Sequence, residues 1–515
     1  MKEACKRAKM KILFIYPNAG SQVGFNYGIA HLSAVLKAAG HETALWQLCE
    51  DIEPLPSEAQ FADRLRQEAA DIIGFSVVTN QWPFAKKLAA WARKATQVPI
   101  ICGGIHTMAA GEEVLRSGLF DYILRGEAEE ALVEFVEKVS TYQDLSTVKN
   151  LGYIHSGETQ LNPLRPLPDI KKLPFKDYDL FDFQKIIDAK NGWVGIMASR
   201  GCPFSCTYCF NHQLVSHYRR DLRCSFKGLN YIRHFEVGQM IMEIEYLLRH
   251  YQKIRMFILD DDLFTFYRAY VKKFCAAYRK ASDLPFVVNA HVGFFDQKRA
   301  CYLADANCKI VKFGVESGSE RIRRQILQRR MTNEKIVGAI EIARQAGLHS
   351  SVFLMIGLPH ETREDVMATI HLMATTQPGR YRWSFFFPFP GTKAYELSVK
   401  GNFVDFEKMA QMKNFTDESC LNFSAKHNLF LKKVGRIMPW FVNAYSDLPV
   451  ASFYRKKIEE ILKMDDDAWA KRSPYIEEED RELSAKFVGR GWPHYAIRYN
   501  RFMGVISNYF TCEDG

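Results

Sequence analysis

The sequence predicts an α/β protein: a doubly wound parallel sheet first, a second series of βα units behind it, and a mostly helical C-terminal region. Two observations carry this. Short apolar runs alternate with amphipathic stretches over residues 12–139 and again over residues 193–387, as parallel strands joined by crossover helices do. The residues with unusual chemistry then fall at the carboxyl ends of those strands, where such sheets bind ligands.

In the first series, residues 12–16 read as a buried strand, 17–27 as a loop with Gly20 and Gly24, and 28–39 as a helix ended by Gly40. Further strands are expected at 41–48, 71–77, 99–104 and 122–124. Helices are expected at 61–69, 84–95 and 127–139, with a short one around 114–117. The strand ends carry Tyr16 and Asn18 through Tyr27, Ser76 with Thr79, Gly103-Gly104-Ile105-His106, and Gly126-Glu127. Adjacent glycines let a flat ligand approach the backbone closely, or simply make a turn. No GxGxxG is present, so a dinucleotide site is unsupported.

Residues 140–190 hold a hairpin-like patch and then Pro163, Pro166, Pro168 and Pro174, an ordered extended connector. The second series starts near Gly192. Its strands are expected at 193–198, 254–259, 286–289, 309–314, 350–357 and 381–387, which makes six βα units. Asp260 to Asp262 follow the second strand, Asn289 and His291 the third, Glu316-Ser317-Gly318 the fourth, and Gly357-Leu358-Pro359 the fifth. From about residue 400 the pattern is helical. Trp440, Phe441, Tyr445, Phe453 and Tyr454 are candidates for an apolar pocket, with core packing the better reading for most; a membrane surface is the lesser reading of the basic and aromatic mixture there. The expected boundaries are 1–150, 151–190, 191–400 and 401–515.

Composition narrows the setting. The chain has 515 residues, a formal net charge of +10 and 12 cysteines. The cysteines show no disulfide-framework spacing, which fits a reducing cytoplasm. No apolar run is long enough to span a membrane, and the first, at 11–16, is too short for a signal peptide. There is no dense basic run, so nucleic acid is not an expected partner. The positive balance reads instead as a preference for a small anionic ligand.

The stretch Ser199-Arg-Gly-Cys-Pro-Phe-Ser-Cys-Thr-Tyr-Cys-Phe210 places Cys202, Cys206 and Cys209 at spacings of four and three. Thiolates are soft donors suited to iron, and a short loop can fold three of them around three corners of a cubane cluster. The fourth iron has no nearby cysteine and stays open to a small molecule. Three inert buried cysteines are one alternative. A zinc site is another, with His212 near enough in sequence to be its fourth ligand.

This CxxxCxxC loop resembles the signature of radical S-adenosylmethionine (SAM) enzymes. The resemblance implies a [4Fe-4S] cluster on the three cysteines, a partial (β/α)6 barrel, and SAM on the open iron, cleaved at its C5′–S bond to a 5′-deoxyadenosyl radical. It further implies that Asp260 or Asp261 meets the SAM amino group, that Glu316 and Ser317 lie near the ribose and carboxylate, that Gly357 packs on adenine, and that the backbone of Tyr208 meets adenine. Arg200 and Arg233 are each candidates for the SAM carboxylate or for cluster electrostatics, with a surface arginine the plain alternative.

The first series resembles the cobalamin-binding domain of B12-dependent radical SAM enzymes, on the segments from Tyr16 to Tyr27, Ser76 to Thr79, Gly103-Gly104-x-His106 and Gly126-Glu127-x-Glu129. In that family the corrin lies over the strand ends. His106 is weighed evenly between touching the corrin and a structural role, and His31 is read as structural. The Asp-x-His-x-x-Gly motif of classical B12 mutases is absent, so no lower axial histidine is expected. The implied activity is methyl transfer from methylcobalamin to an unactivated carbon of a small molecule, anionic or apolar, with a reducing partner such as flavodoxin or ferredoxin. A cyclase resembling the anaerobic magnesium-protoporphyrin monomethyl ester cyclases is the first alternative. A cobalamin-binding sensor or scaffold is the second. A tRNA methylthiotransferase would bring further cluster cysteines.

Overall fold

The computed structural model describes residues 9–412, 415, 418–500 and 505–511. The chain forms two compact units: residues 1–203 with 209–255, and residues 204–208 with 256–515.

In the first unit the elements run β1 (Lys11–Pro17), α1 (Tyr27–Ala38), β2 (Glu42–Leu48), α2 (Glu58–Glu68), β3 (Ile72–Ser76), α3 (Trp82–Ala95), β4 (Ile100–Gly103), α4 (Ile105–Arg116), β5 (Tyr122–Leu124), α5 (Glu129–Ser140), β6 (Leu151–His155) and β7 (Glu158–Leu161). The sheet order is β2-β1-β3-β4-β5-β6-β7. The first five strands are parallel, and β6 and β7 join antiparallel. Ile12, Leu13 and Ile15 of β1 and Ile72, Ile73 and Phe75 of β3 are buried, as parallel strands covered on both faces must be. The chain winds from β1 out to β2 and returns to β3. The crevice for a ligand in such an order lies at the carboxyl ends of β1 and β3.

Two features differ from the reading of the sequence. The hairpin read within the connector extends this sheet by two strands, because β6 pairs along the edge of β5. Helix α4 begins directly at Ile105, with a non-helical break at Ala110, instead of as a short piece near residue 114. Gly104 is its N-cap at φ 93, and a Cβ there would stand 2.5 Å from the Val77 carbonyl oxygen. Only glycine fits that crossing of two loops.

The unit continues with α6 (Phe183–Ala189), β8 (Trp193–Ile196), β9 (Ser199–Arg200), α7 (Phe210–Leu222), α8 (Phe226–Leu229), β10 (Arg233–His234) and α9 (Val237–His250). The connector is pinned by a buried ion pair, Lys176 Nζ to Glu243 Oε2 at 2.6 Å, with the Tyr178 hydroxyl donating to the other carboxylate oxygen.

The second unit contains β11 (Met256–Leu259), α10 (Arg268–Ala281), β12 (Phe286–Ala290), α11 (Gln297–Asp305), β13 (Cys308–Glu316), α12 (Asn333–Gln345), β14 (His349–Ile356), α13 (Arg363–Thr376) and β15 (Arg380–Phe385). Strands β11 to β15 pair in sequence order and in parallel, the curled half-barrel expected. A helical region follows: α14 (Lys393–Lys400), α15 (Phe406–Gln411), α16 (Ala425–Tyr445), α17 (Ala451–Lys463), α18 (Asp466–Arg472) and α19 (Ile476–Val488). Trp440, Phe441 and Tyr454 are fully buried there, so core packing holds them. The Trp383 indole of β15 donates to the Gly435 carbonyl of α16 at 2.8 Å. One element had no counterpart in the sequence reading. β16 (His494–Asn500) and β17 (Val505–Thr511) form an antiparallel hairpin, and β17 pairs antiparallel with β15. No described helix is long and apolar enough to cross a membrane.

Candidate functional site

At the crevice of the first unit, the Asn26 side chain caps α1 by accepting from the Ile29 amide at 3.0 Å and donates to Ser76 Oγ at 3.3 Å. That bond joins the end of β3 to the start of α1. Asn18 donates from its side chain to the Gln22 carbonyl at 3.1 Å, and Gln81 donates to the Ala19 carbonyl and to Ser21 Oγ, each at 2.9 Å. The loop after β1 is thereby held over the strand ends. Burial pushes the Tyr16 phenol up to about 12, with Cys49 adding to it. Tyr27 opens α1.

Thr79 Oγ1 is buried without a hydrogen-bond partner, and so are both ring nitrogens of His106. His106 sits in the first turn of α4, 3% exposed, with its ring 4.7 Å from that of Trp82. Burial holds its imidazole down at about 4, with Lys86 helping and Glu113 opposing. A Cβ added at Gly103 would meet the Phe75 carbonyl oxygen at 3.8 Å, an ordinary van der Waals contact. Orphaned polar atoms at the strand ends fit a flat ligand rich in amides.

Gly126 and Glu127 do something else as well. A Cβ on Gly126 would overlap the Tyr218 hydroxyl, and that hydroxyl accepts from the Glu127 amide at 2.8 Å. The Glu127 carboxylate receives Arg200 Nη1 at 2.6 Å and Arg233 Nη1 at 3.1 Å, and Arg233 Nη2 binds its other oxygen. Arg200 also meets Glu129 at 2.7 Å, and Arg233 donates to the Pro168 carbonyl at 2.8 Å. β9 and β10 place the two arginines side by side, since Arg233 pairs with Arg200 in an antiparallel register. Burial would raise the Glu127 carboxyl, but the two guanidiniums outweigh it and hold it below its ordinary range. The arginines read from sequence as candidates for SAM or the cluster thus lie in a charge cluster with Glu127.

The cysteine loop runs from β9 to α7. Cys206 is buried, while Cys202 and Cys209 are partly exposed. Residues 204–208 belong to the second unit. Thr207 fixes them there: its hydroxyl donates to the Ile326 carbonyl at 2.7 Å and its amide to the Leu327 carbonyl at 3.2 Å. Those carbonyls close a π-helical turn, Ile322–Ile326, a local form common at functional sites.

Arg329, which sequence reasoning passed over, organises this segment. Its Nη1 lies 3.4 Å from Cys206 Sγ and 3.2 Å from the Tyr208 hydroxyl, and its Nη2 donates to the Gly314 carbonyl. Tyr208 in turn donates to Glu316 Oε1 at 3.0 Å. Glu316 stands at a β-bulge with φ 68. Burial raises its carboxyl, against Arg329, Tyr208 and Arg382. A half-buried cation thus stands beside Cys206. Three thiols on one loop with that cation fit a cluster. No three His, Cys, Asp or Glu side chains among the described residues converge as on a single ion. A cubane does not ask for that, because each thiolate holds its own iron.

Ser317 is fully buried, accepts from the Ser319 amide at 3.2 Å, and its carbonyl receives Arg323 Nη1 at 2.5 Å. Asp260 is exposed and Asp261 buried, with the Asp261 carbonyl accepting from Asn289 Nδ2 at 2.8 Å. Gly357 has φ 72, and its amide donates to Glu361 Oε2 at 2.6 Å, as does Leu358 at 3.2 Å.

Burial pushes Glu361 up to about 8, with the two amides opposing and Asp365 adding. Its folded value exceeds the ordinary carboxylate value of about 4.3. Its contribution to stability is therefore complete below that value and is lost as pH rises through about 8. We expect the melting temperature of Glu361→Gln to lack this slope between pH 5 and 8, a difference on the order of 3 kcal/mol across the window. Parallel slopes for the two proteins would count against it.

Residues 20–136 match the B12 binding domain and residues 196–373 match the Radical SAM superfamily. The chain joins a B12-binding domain to a radical SAM domain, the pair that matches the cobalamin-dependent radical SAM enzymes. An uncharacterised methyltransferase of Pyrococcus horikoshii is 26% identical over 431 residues, covering 79% of this chain and 89% of that protein. The anaerobic magnesium-protoporphyrin IX monomethyl ester cyclase of Rubrivivax gelatinosus is 25% identical, covering 78% and 72%. Among solved structures, the radical SAM methyltransferase TsrM from Kitasatospora setae aligns with TM-score 0.62 at 17% identity over 76% of each chain. The cobalamin-dependent radical enzyme OxsB aligns with TM-score 0.66 at 14% identity, over 94% of this chain and 73% of that one. For a cobalamin-dependent radical SAM enzyme the expected cofactors are SAM, cobalamin and an iron–sulfur cluster.

Proposed function

We propose that this cobalamin-dependent radical SAM enzyme transfers a methyl group to an unactivated carbon of a small-molecule substrate. The observation that carries the reading is one of extent. The chain spans 89% and 84% of two relatives named as methyltransferases, the second a cytidylyl-2-hydroxyethylphosphonate methyltransferase of Streptomyces wedmorensis, but 72% and 65% of two cyclases. When bound, the cluster with SAM supplies a carbon-centred radical and cobalamin carries the methyl group.

Cys202, Cys206 and Cys209 hold the cluster, and Arg329 stands beside Cys206. Tyr208, Asp260, Asp261, Glu316, Ser317 and Gly357 form the SAM site, with Glu316 setting Tyr208 and Glu361 setting Gly357. Tyr16, Asn18, Tyr27, Ser76, Thr79, Gly103, Gly104 and His106 form the cobalamin crevice. Gly126, Glu127 and Arg233 brace its border through Tyr218 and the charge cluster.

The cyclase reading is second, favoured by the 25% identity to the Rubrivivax protein. The test is anaerobic turnover with methyl-deuterated SAM, read by mass spectrometry of candidate products. A methylated product carrying the intact trideuteromethyl group is expected. An oxidised or ring-closed product without label would replace this reading with the cyclase one.

A further inference from the structure

Strands β13, β14 and β15 have two unlike faces. Val311, Phe313 and Val315 of β13, Val352 and Leu354 of β14, and Tyr381 and Trp383 of β15 are buried. The alternate residues form the other face. There Gly314, Glu316, Phe353, Met355, Arg382 and Ser384 are partly exposed, so solvent reaches it. This face looks toward the cysteine loop. A Cβ on Gly314 would stand 2.5 Å from Glu316 Oε1 and 3.4 Å from Arg329 Nη2, the pair that meets Tyr208.

Register sets two rows on that face. Lys312, Ser351 and Arg380 stand side by side, and Gly314, Phe353 and Arg382 do so two residues further along. The rows are about 7 Å apart, with Glu316 beyond the second. Lys312 is 8% exposed and Arg380 4%. The Arg380 guanidinium donates to Ser351 Oγ from Nε at 3.2 Å and from Nη2 at 3.1 Å. That of Arg382 lies 4.0 Å over the Phe353 ring. Among the described residues of these three strands, Lys312, Arg380 and Arg382 share the face with one acid, Glu316, which Tyr208 and Arg329 already engage. Asp260 to Asp262 follow β11, four places from β15 along the sheet.

The geometry points to a phosphoryl-recognition site inside the half-barrel: Lys312, Arg380 and Arg382 bind a doubly charged phosphoryl group of the substrate, whose remainder extends toward the cysteine loop. This rests on the radical SAM reading and names the substrate class of that site. Two guanidinium forks and an ammonium suit a tetrahedral dianion, which has more oxygens than one fork can meet. A monocarboxylate would balance one of the three cations. A neutral apolar substrate would displace water from all three without replacing it, which is costly. A cleft lined by one sign of charge also concentrates such anions.

The test uses the full chain with its cluster reconstituted anaerobically and loaded with cobalamin and SAM, at a pH where phosphate is a dianion. Inorganic phosphate, propyl phosphate and acetate are titrated in by calorimetry at constant ionic strength. Both phosphates are expected to bind one site at least tenfold more tightly than acetate. Arg380→Gln and Arg382→Gln should each weaken propyl phosphate at least fivefold, and the pair at least twentyfold. The pair Lys272→Gln, Lys280→Gln, on the exposed side of α10, should leave that affinity unchanged. Should Arg380→Gln fail to fold, the partly exposed Arg382 decides alone.

Acetate bound as tightly as phosphate, or unchanged affinity in Arg382→Gln, overturns the inference. A site that takes inorganic phosphate and refuses the ester holds a free ion, and overturns it too. So does phosphate that binds only when SAM is left out, because the cations would then be holding the SAM carboxylate. Wild-type protein that takes up no cluster would instead sink the radical SAM reading itself, whereas a loaded chain blind to phosphate sinks the substrate class alone.

Discussion

Cys206→Ala is expected to abolish the cluster's visible absorption and to reduce SAM cleavage by more than ~100-fold, beyond the ~10–100-fold typical of losing a supporting outer partner. Removing one of three thiolates opens a second corner of the cluster to water and loss of iron. Cys206 is the buried member of the trio and has a guanidinium 3.4 Å from its sulfur, so its replacement also leaves Arg329 facing a void. The informative comparison is Arg329→Met. It keeps all three sulfurs, removes the positive neighbour of Cys206 and Glu316, and should fall within that outer-partner range. Iron content, the absorption spectrum and 5′-deoxyadenosine yield are the measurements. A Cys206→Ala protein that keeps a full complement of iron and its spectrum would remove the proposed ligand.

Glu127→Ala should be the most damaging single change in the first unit. It leaves two guanidiniums, with side-chain exposures of 15% and 6%, without their shared anion. Breaking a buried pair in this way costs about 3–5 kcal/mol, much of it the stranding of the surviving charge. Arg200 retains Glu129 at 2.7 Å, so the lower end of that range applies. Glu127→Gln keeps two acceptor or donor positions of similar shape and should cost less. Because the folded carboxyl is held below its unfolded value, its stabilisation is complete above about pH 4.3 and is lost as pH falls further. Urea unfolding of the three proteins at pH 7 and at pH 4 checks both parts. Equal midpoints for wild type and Glu127→Ala at pH 7 would show that the arginines find other partners.

What was legible in the sequence was local or periodic. The alternation of apolar runs with helical stretches gave the two parallel series, since each strand's burial is written in its own residues. The cysteine loop was conspicuous because its three sulfurs lie within eight residues. Arg329 was hidden for the opposite reason. It sits 123 residues from Cys206 in a stretch that also holds Arg321, Arg323, Arg324 and Arg330, and only the π-helical turn and the β13 bulge decide which of them meets the loop. The one signal available was an arginine excess directly behind the Glu316 strand end. His106 is weighed evenly between a ligand's edge and a structural role because it follows two glycines. The helix that starts at once after them draws its ring in against Trp82. Such placements depend on where the chain turns, and turns were the least determined part of the pattern.

The C-terminal hairpin has a consequence for the life history of the chain. A half-barrel does not close on itself, so the margin at β15 would present a row of unsatisfied amides and carbonyls, a template for other chains. Here that margin is covered by β17, which leaves the ribosome more than a hundred residues after β15. Throughout that interval the nascent sheet is unhemmed, and any chain stopped short of residue 494 stays so. Premature termination near the end should therefore be read out as self-association, well before any defect in the strands that bear the chemistry.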